Sequence, residues 1–434
     1  WLKGFVAVGR IISVSCPRPA GMVQMWEIVG GADKGGIVVR SGPTTTATQL
    51  DDRLSTGALV EELEVKGDRL HYRLAQGTGP ESGWVAIRIT AKELAVKTEK
   101  RPEAASVPTA AKPSSVGPKG EAPLPVALLF PGQGSQYVNM LSGVKDLPRV
   151  KEMIDKAKDI LGYDILDVCL QGPEAKLEET RYCQPAMFLA GMAGMEKLRM
   201  EREEAVTRCS VMAGLSLGEY TALCAAGVFS FEEGMRLVKL RGEAMQEAAE
   251  ARDQGMASIA GLDKAKLQEL AAKAAQGEGP SGICQIANEL FPKGYAVGGT
   301  RKAIESLRAA AEAAGALQAK ILKTGGGFHT ALMTPAAEKL ATALDDLLPR
   351  MQSPLHTVWM NASAEPVRPG TEPRVIVELL KKQVTSPVLW EPSMKAVIAD
   401  GITEFYEVGP MKQLKAMLKR IDQGAWKQTA NVEV

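Results

Sequence analysis

The feature that most constrains this chain is a turn. Gly214-Leu215-Ser216-Leu217-Gly218-Glu219-Tyr220 follows the apolar run Val211-Met212-Ala213 and leads into Thr221-Ala222-Leu223-Cys224-Ala225-Ala226, which has the composition of a helix. Strand, tight turn, helix is the context in which Gly-x-Ser-x-Gly reads as a nucleophile elbow. The two glycines serve a sharp turn where a Cβ would clash with neighbouring backbone. The serine then projects above a helix N-terminus, where free N–H groups and partial positive charge favour an oxyanion. In a chain holding 43 glycines the pattern is weak alone, because a glycine turn between strand and helix needs no chemistry.

Composition narrows the setting. A chain of 434 residues exceeds one ordinary domain, and about two or three are expected. The 52 basic and 51 acidic side chains nearly cancel, so nothing points to nucleic acid or another polyanion. No apolar run reaches the roughly 18 residues of a membrane span, and Ala186 to Met195 reads as a buried helix. The six cysteines form no Cys-x-x-Cys pair and sit mostly in apolar segments, which favours packed thiols in a reducing compartment over disulfides or a metal site. Residues 1–21 form a tail; the first 20 contain Arg10, Arg18 and no acid, which suits the end of a transit peptide.

Residues 22–97 alternate apolar runs with glycine turns at roughly 8–12-residue spacing, as in a small all-β barrel or sandwich. The glycine-rich turn Gly30–Gly36 and the Gly83-Trp84-Val85 strand resemble a bacterial Src-homology-3-like barrel, a class that binds peptides or acts as a spacer. A binding role for Trp26 or Trp84 stands beside core packing. His71 shares a face with Arg73, read as wet and structural. Residues 98–123, with Pro102, Pro108, Pro113 and Pro118, read as a linker. From Leu124 onward strands and helices alternate, which predicts α/β with a mostly parallel sheet. Ser230-Phe231-Glu232-Glu233 is a capping box opening a helix that carries Arg241. Between 255 and 323 the order strand (Met256–Leu262), helix (Lys264–Ala275), strand (Gly282–Ala287), strand (Tyr295–Gly298), helix (Arg301–Ala314), strand (Ala319–Lys323) is βαββαβ and predicts an inserted ferredoxin-like subdomain.

An activated serine needs a base and an oxyanion hole. The histidines are His71, His329 and His356. His356 lies in the strand-like run Leu355–Met360, where packing is its default. His329 follows Gly325-Gly326-Gly327-Phe328, and those glycines are expected to let the loop approach the serine. On the residues alone, the default for Arg241 is a surface arginine in the C-terminal half of its helix.

Seven motifs then follow in order: Phe130-Pro131-Gly132-Gln133-Gly134-Ser135-Gln136, Tyr182-Cys183-Gln184-Pro185-Ala186, the elbow, Val238-Lys239-Leu240-Arg241-Gly242, Cys284-Gln285-Ile286-Ala287-Asn288, Phe328-His329-Thr330-Ala331-Leu332-Met333 and Gln383-Val384-Thr385-Ser386-Pro387-Val388. Over residues 124–434 this resembles the malonyl-coenzyme A:acyl carrier protein transacylases of type II fatty acid synthesis, whose core is an α/β-hydrolase-like acyltransferase domain. The resemblance implies Ser216 as nucleophile and His329 as base of a Ser–His dyad. It implies backbone N–H groups of Gln133 and Leu217 as oxyanion hole, Arg241 on the malonyl carboxylate, and a Gln383 carbonyl orienting the histidine. Asn288 and Phe328 would line the substrate pocket, the ring crowding a branched α-carbon. No metal or organic cofactor is implied; the coenzyme A thioester is substrate and acyl carrier protein the partner. Leu215 stands where the family commonly has histidine, a form similar to plant and algal plastid members, so plastid residence is expected, with cytoplasm the alternative. Lys323, Lys381 and Lys382 are candidates for a basic rim facing an acidic carrier protein. The rival readings are a loading enzyme for a polyketide carrier protein, a Gly-x-Ser-x-Gly esterase, and a barrel-based adaptor with a decayed transferase.

Overall fold

The computed structural model describes residues 24–89, 92–98, 100 and 122–434. The chain divides into two compact units, Trp1–Pro113 and Ser114–Val434. The tail 1–21 and most of the expected linker 98–123 lie outside the described residues.

In the first unit seven strands form one antiparallel sheet in the order 49–54, 37–40, 82–86, 69–76, 59–66, 25–28, 95–98. Alternation along Arg69–Gln76 turns Leu70 and Tyr72 inward and Arg73 outward. Leu54 and Ala95, from the two outermost strands, belong to the same core as Leu70 from the middle one. His71 is half-buried, with its ring stacked on Trp84 at 4.8 Å.

The second unit is built on a six-stranded sheet in the order 366–367, 357–359, 209–214, 124–130, 404–408, 429–432. All pairings are parallel except that of the two-residue edge strand Pro366–Val367. The central strand Leu124–Phe130 is apolar throughout because both faces are covered. Its period of two divides the side chains: Val126, Leu128 and Phe130 join one core, Ala127 and Leu129 the other. Met212 follows the first set, Val211 and Ala213 the second. The strand added after Leu124–Phe130 lies on one side of it and Glu404–Val408 on the other, so the order reverses at its carboxyl end. Open α/β sheets place their crevice at such a reversal.

A second sheet runs 318–321, 254–260, 294–300, 284–291, 388–389. Its first four strands are mutually antiparallel. The helices Lys264–Glu278 and Arg301–Ala313 share one core with it, through Leu267, Ile304 and Leu307 against Ile259 and Val297. The two longest helices of the unit, Thr180–Glu201 and Phe231–Glu250, carry Gln184 and Arg241. The latter opens on the expected capping box, with Ser230 Oγ accepting from Glu233 N–H and the Glu233 carboxylate accepting from Ser230 N–H.

Candidate active site

The elbow forms where the strand Cys209–Gly214 ends and the helix Leu217–Ala225 begins. Ser216 between them has φ 54° and ψ −101°, a strained backbone for a residue with a side chain. The flanking glycines make it possible. A Cβ on Gly214 would lie 1.9 Å from the Gly218 carbonyl carbon, and one on Gly218 would lie 2.1 Å from the Phe130 carbonyl oxygen.

Ser216 Oγ lies 2.7 Å from His329 Nε2. His329 Nδ1 lies 2.9 Å from the Gln383 carbonyl oxygen. A carbonyl only accepts, so Nδ1 carries the proton and Nε2 presents its lone pair to the serine hydroxyl. His329 is buried, and burial first, then the Arg241 cation, push its pKa down to about 4. The imidazole is therefore neutral at ordinary pH, as a base must be.

Arg241 is 1% exposed. Its Nη2 donates to Ser216 Oγ at 3.1 Å and to Gln383 Oε1 at 3.0 Å, and its Nη1 to Gln184 Oε1 at 2.8 Å. The guanidinium carbon rests over the Tyr220 ring at 5.2 Å. Those hydrogen-bond partners are all neutral oxygens, and burial lowers the guanidinium pKa. Glu219, the carboxylate that bears on it electrostatically, accepts no hydrogen bond from it and is itself pushed up to about 7 by burial.

A cleft of about 540 Å³ opens on these groups, lined among others by Gln133, Ser216, Arg241, Asn288, Phe328 and His329. Gln133 follows the central strand, and a Cβ on its neighbour Gly132 would touch Leu215 O at 2.3 Å and Leu217 N at 3.8 Å. The Gln133 loop thus packs on the start of the helix, whose first N–H groups have no intrahelical acceptor. Activated alcohol, oriented neutral imidazole and helix-end N–H groups in one cleft are the parts of acyl transfer through a serine ester.

The acyl transferase domain model matches residues 127–433. The mouse protein "Malonyl-CoA-acyl carrier protein transacylase, mitochondrial" is 40% identical over 316 residues, 71% of this chain and 81% of the mouse protein. The chain belongs to the malonyl-CoA–acyl carrier protein transacylase family. The Escherichia coli K12 member is 38% identical over 296 residues, 68% of this chain and 92% of that one. A solved malonyl-transacylase in complex with a type II polyketide acyl carrier protein is 34% identical, with TM-score 0.65, covering 71% of this chain and 96% of that one. The chain is thus an acyltransferase with the mixed α/β fold of this family.

In this transacylase the cleft gathers Ser216, His329, Arg241, Gln133, Phe328 and Asn288, with the buried Gln383 bonded to His329 and Arg241 and with Leu217 next to the nucleophile. Asn288 sits at a register shift of its strand, opposite Val388. Two expectations need correction. The glycines before Phe328 do not make room for the serine: a Cβ on Gly326 would meet the Phe328 ring at 2.5 Å and Ala249 at 2.9 Å, and one on Gly327 would meet Leu332 at 2.6 Å and Gly299 N at 3.0 Å. Their smallness admits neighbouring packing instead. Lys381 is no free rim cation, since it pairs with Asp345 at 2.7 Å and Glu378 at 2.9 Å, whereas Lys323 does line the cleft. Sequence reading assigned no role to Gln184, Glu219 or Asn361. The first two lie inside quoted motifs, and their burial beside Arg241 was the missing signal.

Proposed function

We propose that this enzyme moves a malonyl group from coenzyme A to the phosphopantetheine thiol of acyl carrier protein through a malonyl ester on Ser216. His329 Nε2 takes the hydroxyl proton as Oγ attacks the thioester carbonyl. The Gln133 and Leu217 N–H groups hold the oxyanion, and coenzyme A leaves as the thiol with the proton returned by His329. The carrier thiol then attacks the ester with the same residues in reverse order. These steps use no metal or organic cofactor. Gln383 orients the imidazole, Arg241 grips the distal carboxylate, and Phe328 and Asn288 wall the pocket.

One observation carries the reading: a buried guanidinium 3.1 Å from the nucleophile, hydrogen-bonded to neutral oxygens alone. Such a cation is costly unless an anion joins it. A planar carboxylate, held through two hydrogen bonds one methylene away from the attacked carbonyl, fits that need, and an acetyl group does not. The test is the intact mass of the full chain after incubation with malonyl-CoA. One malonyl group per chain, absent in Ser216→Ala, is expected; an adduct that survives in the variant contradicts it.

A second reading, loading of a polyketide carrier protein, is favoured by the 34% identical transacylase solved with such a partner. Transfer rates to both carrier types separate the two. We read the four antiparallel strands between 254 and 321 as a ferredoxin-like insertion, supported by their order of fourth, first, third, second. We read the first unit as a small Src-homology-3-like barrel, supported by a core that unites its outermost strands. Trp26 and Trp84 are 6% exposed each, which favours packing over peptide contact. Leu215 supports plastid residence; a fluorescent fusion that followed a mitochondrial marker instead would refute it.

A further inference from the structure

A strained backbone needs something to hold it, and the elbow helix does not hold Ser216 by itself. The parallel ladder between Cys209–Gly214 and Thr357–Trp359 ends with Ala213 opposite Trp359. Two residues beyond Trp359 the ladder is continued by a side chain. Asn361 Nδ2 donates to the Gly214 carbonyl at 2.8 Å, and Asn361 Oδ1 accepts the Ser216 N–H at 2.7 Å. A backbone peptide in a longer strand would offer the same donor and acceptor.

Asn361 is itself fixed. It is 3% exposed, its N–H donates to Glu219 Oε2 at 3.0 Å, and its carbonyl accepts from Leu389 N–H at 2.9 Å. Gln383 Nε2 donates to the same Glu219 oxygen at 3.1 Å and to the Ser216 carbonyl at 2.7 Å. Both ends of the Ser216 residue are thus tied into one buried set of hydrogen bonds anchored on Glu219.

We propose that Asn361 is the positioning residue of the nucleophile: its side-chain amide replaces a strand peptide and fixes Ser216 in the left-handed backbone that aims Oγ at His329 and Arg241. The inference rests on the malonyl-serine reading above. A primary amide suits the position because it carries a donor and an acceptor together. Aspartate could accept from Ser216 but not donate to Gly214, and it would set a second carboxylate beside Glu219.

Single-turnover acylation by malonyl-CoA, followed by intact mass on the full chain, tests this. In Asn361→Ala the adduct should still reach one per folded chain, but its rate should fall about 100-fold, as a misaimed nucleophile costs. The malonyl-CoA concentration giving half the maximal rate should move less than about threefold, since Arg241 and Gln184 are untouched. Asn361→Asp, of nearly equal volume, should be about tenfold slow, consistent with loss of one orienting hydrogen bond, and it decides the matter if the alanine variant does not fold. Wild-type rates in the folded variants overturn the inference. So does a merely structural result, in which adduct amplitude falls with the folded fraction while the rate stays normal. Failure of the malonyl-serine reading shows separately, as no adduct on the wild type or an adduct on Ser216→Ala, and overturns this inference with it.

Discussion

His329 does its work as a neutral ring, and two features keep it so: burial and the Arg241 cation. Its folded pKa of about 4 lies below the ordinary 6.5. The base is therefore present above that value and lost as pH falls through it. The kcat/KM for malonyl-CoA should hold its plateau as pH drops past 6.5 and decline only toward 4 to 5. The same shift makes the folded chain bind fewer protons than the unfolded one, so this residue's share of stability, full above 6.5, drains away as pH falls toward 4. Replacing Arg241 by glutamine removes the second cause and should move the acid limb upward. A wild-type limb near 6.5 would contradict the assignment. The residues that do the chemistry were legible in sequence because each sits in a short motif with a local reason for its type. Their partners were not. Glu219 in the first turn of a helix reads as an acid favouring the helix dipole, yet it is fully buried under the elbow. Asn361 has a role only once Thr357–Trp359 is known to neighbour Cys209–Gly214, a pairing 147 residues apart in sequence between Asn361 and Gly214.

At the scale of elements, the elbow depends on close backbone approach. The Gly218 Cα sits against the Phe130 carbonyl, which is the end of the central strand and cannot rotate away. Gly218→Ala should cost about 2 kcal/mol of unfolding free energy or more by overpacking, and should slow acylation as well. Denaturant unfolding together with the acylation rate checks both, and a variant with wild-type stability would show that the turn has room. Element types were readable from apolar runs and caps: the capping box at Ser230 and the buried helix around Ala186–Met195 took the form read from sequence. Boundaries were less so. The helix expected over Lys264–Ala275 runs to Glu278, and the strand expected over 282–287 runs from Cys284 to Phe291, because pairing with Gly294–Thr300 extends it past the apolar residues. The smallness of Gly326 and Gly327 matters, but against Ala249 and Gly299, neighbours that only the folded chain brings to them.

For the whole molecule, every side chain of the cleft belongs to the unit Ser114–Val434, and the first unit has a core of its own. A chain beginning at Ser114 should therefore fold and load malonyl with kcat/KM within about threefold of the full chain, as separate domains do. A tenfold drop would tie the first unit to the chemistry. Sheet order could not be read from sequence, since it follows from which apolar faces meet; what could be read was that Leu124–Phe130, covered on both sides, must lie inside. That strand ends at the cleft, where the buried Arg241 guanidinium meets the Ser216 hydroxyl. The claim resting on that meeting is that Arg241 chooses the acyl group by its far carboxylate. Parallel rates of Ser216 acylation from malonyl-CoA and acetyl-CoA, in the wild type and in Arg241→Ala, test it most directly. The malonyl-to-acetyl ratio should fall about 100-fold or more when the guanidinium is removed; two rates that decline together, leaving the ratio as it was, would contradict it.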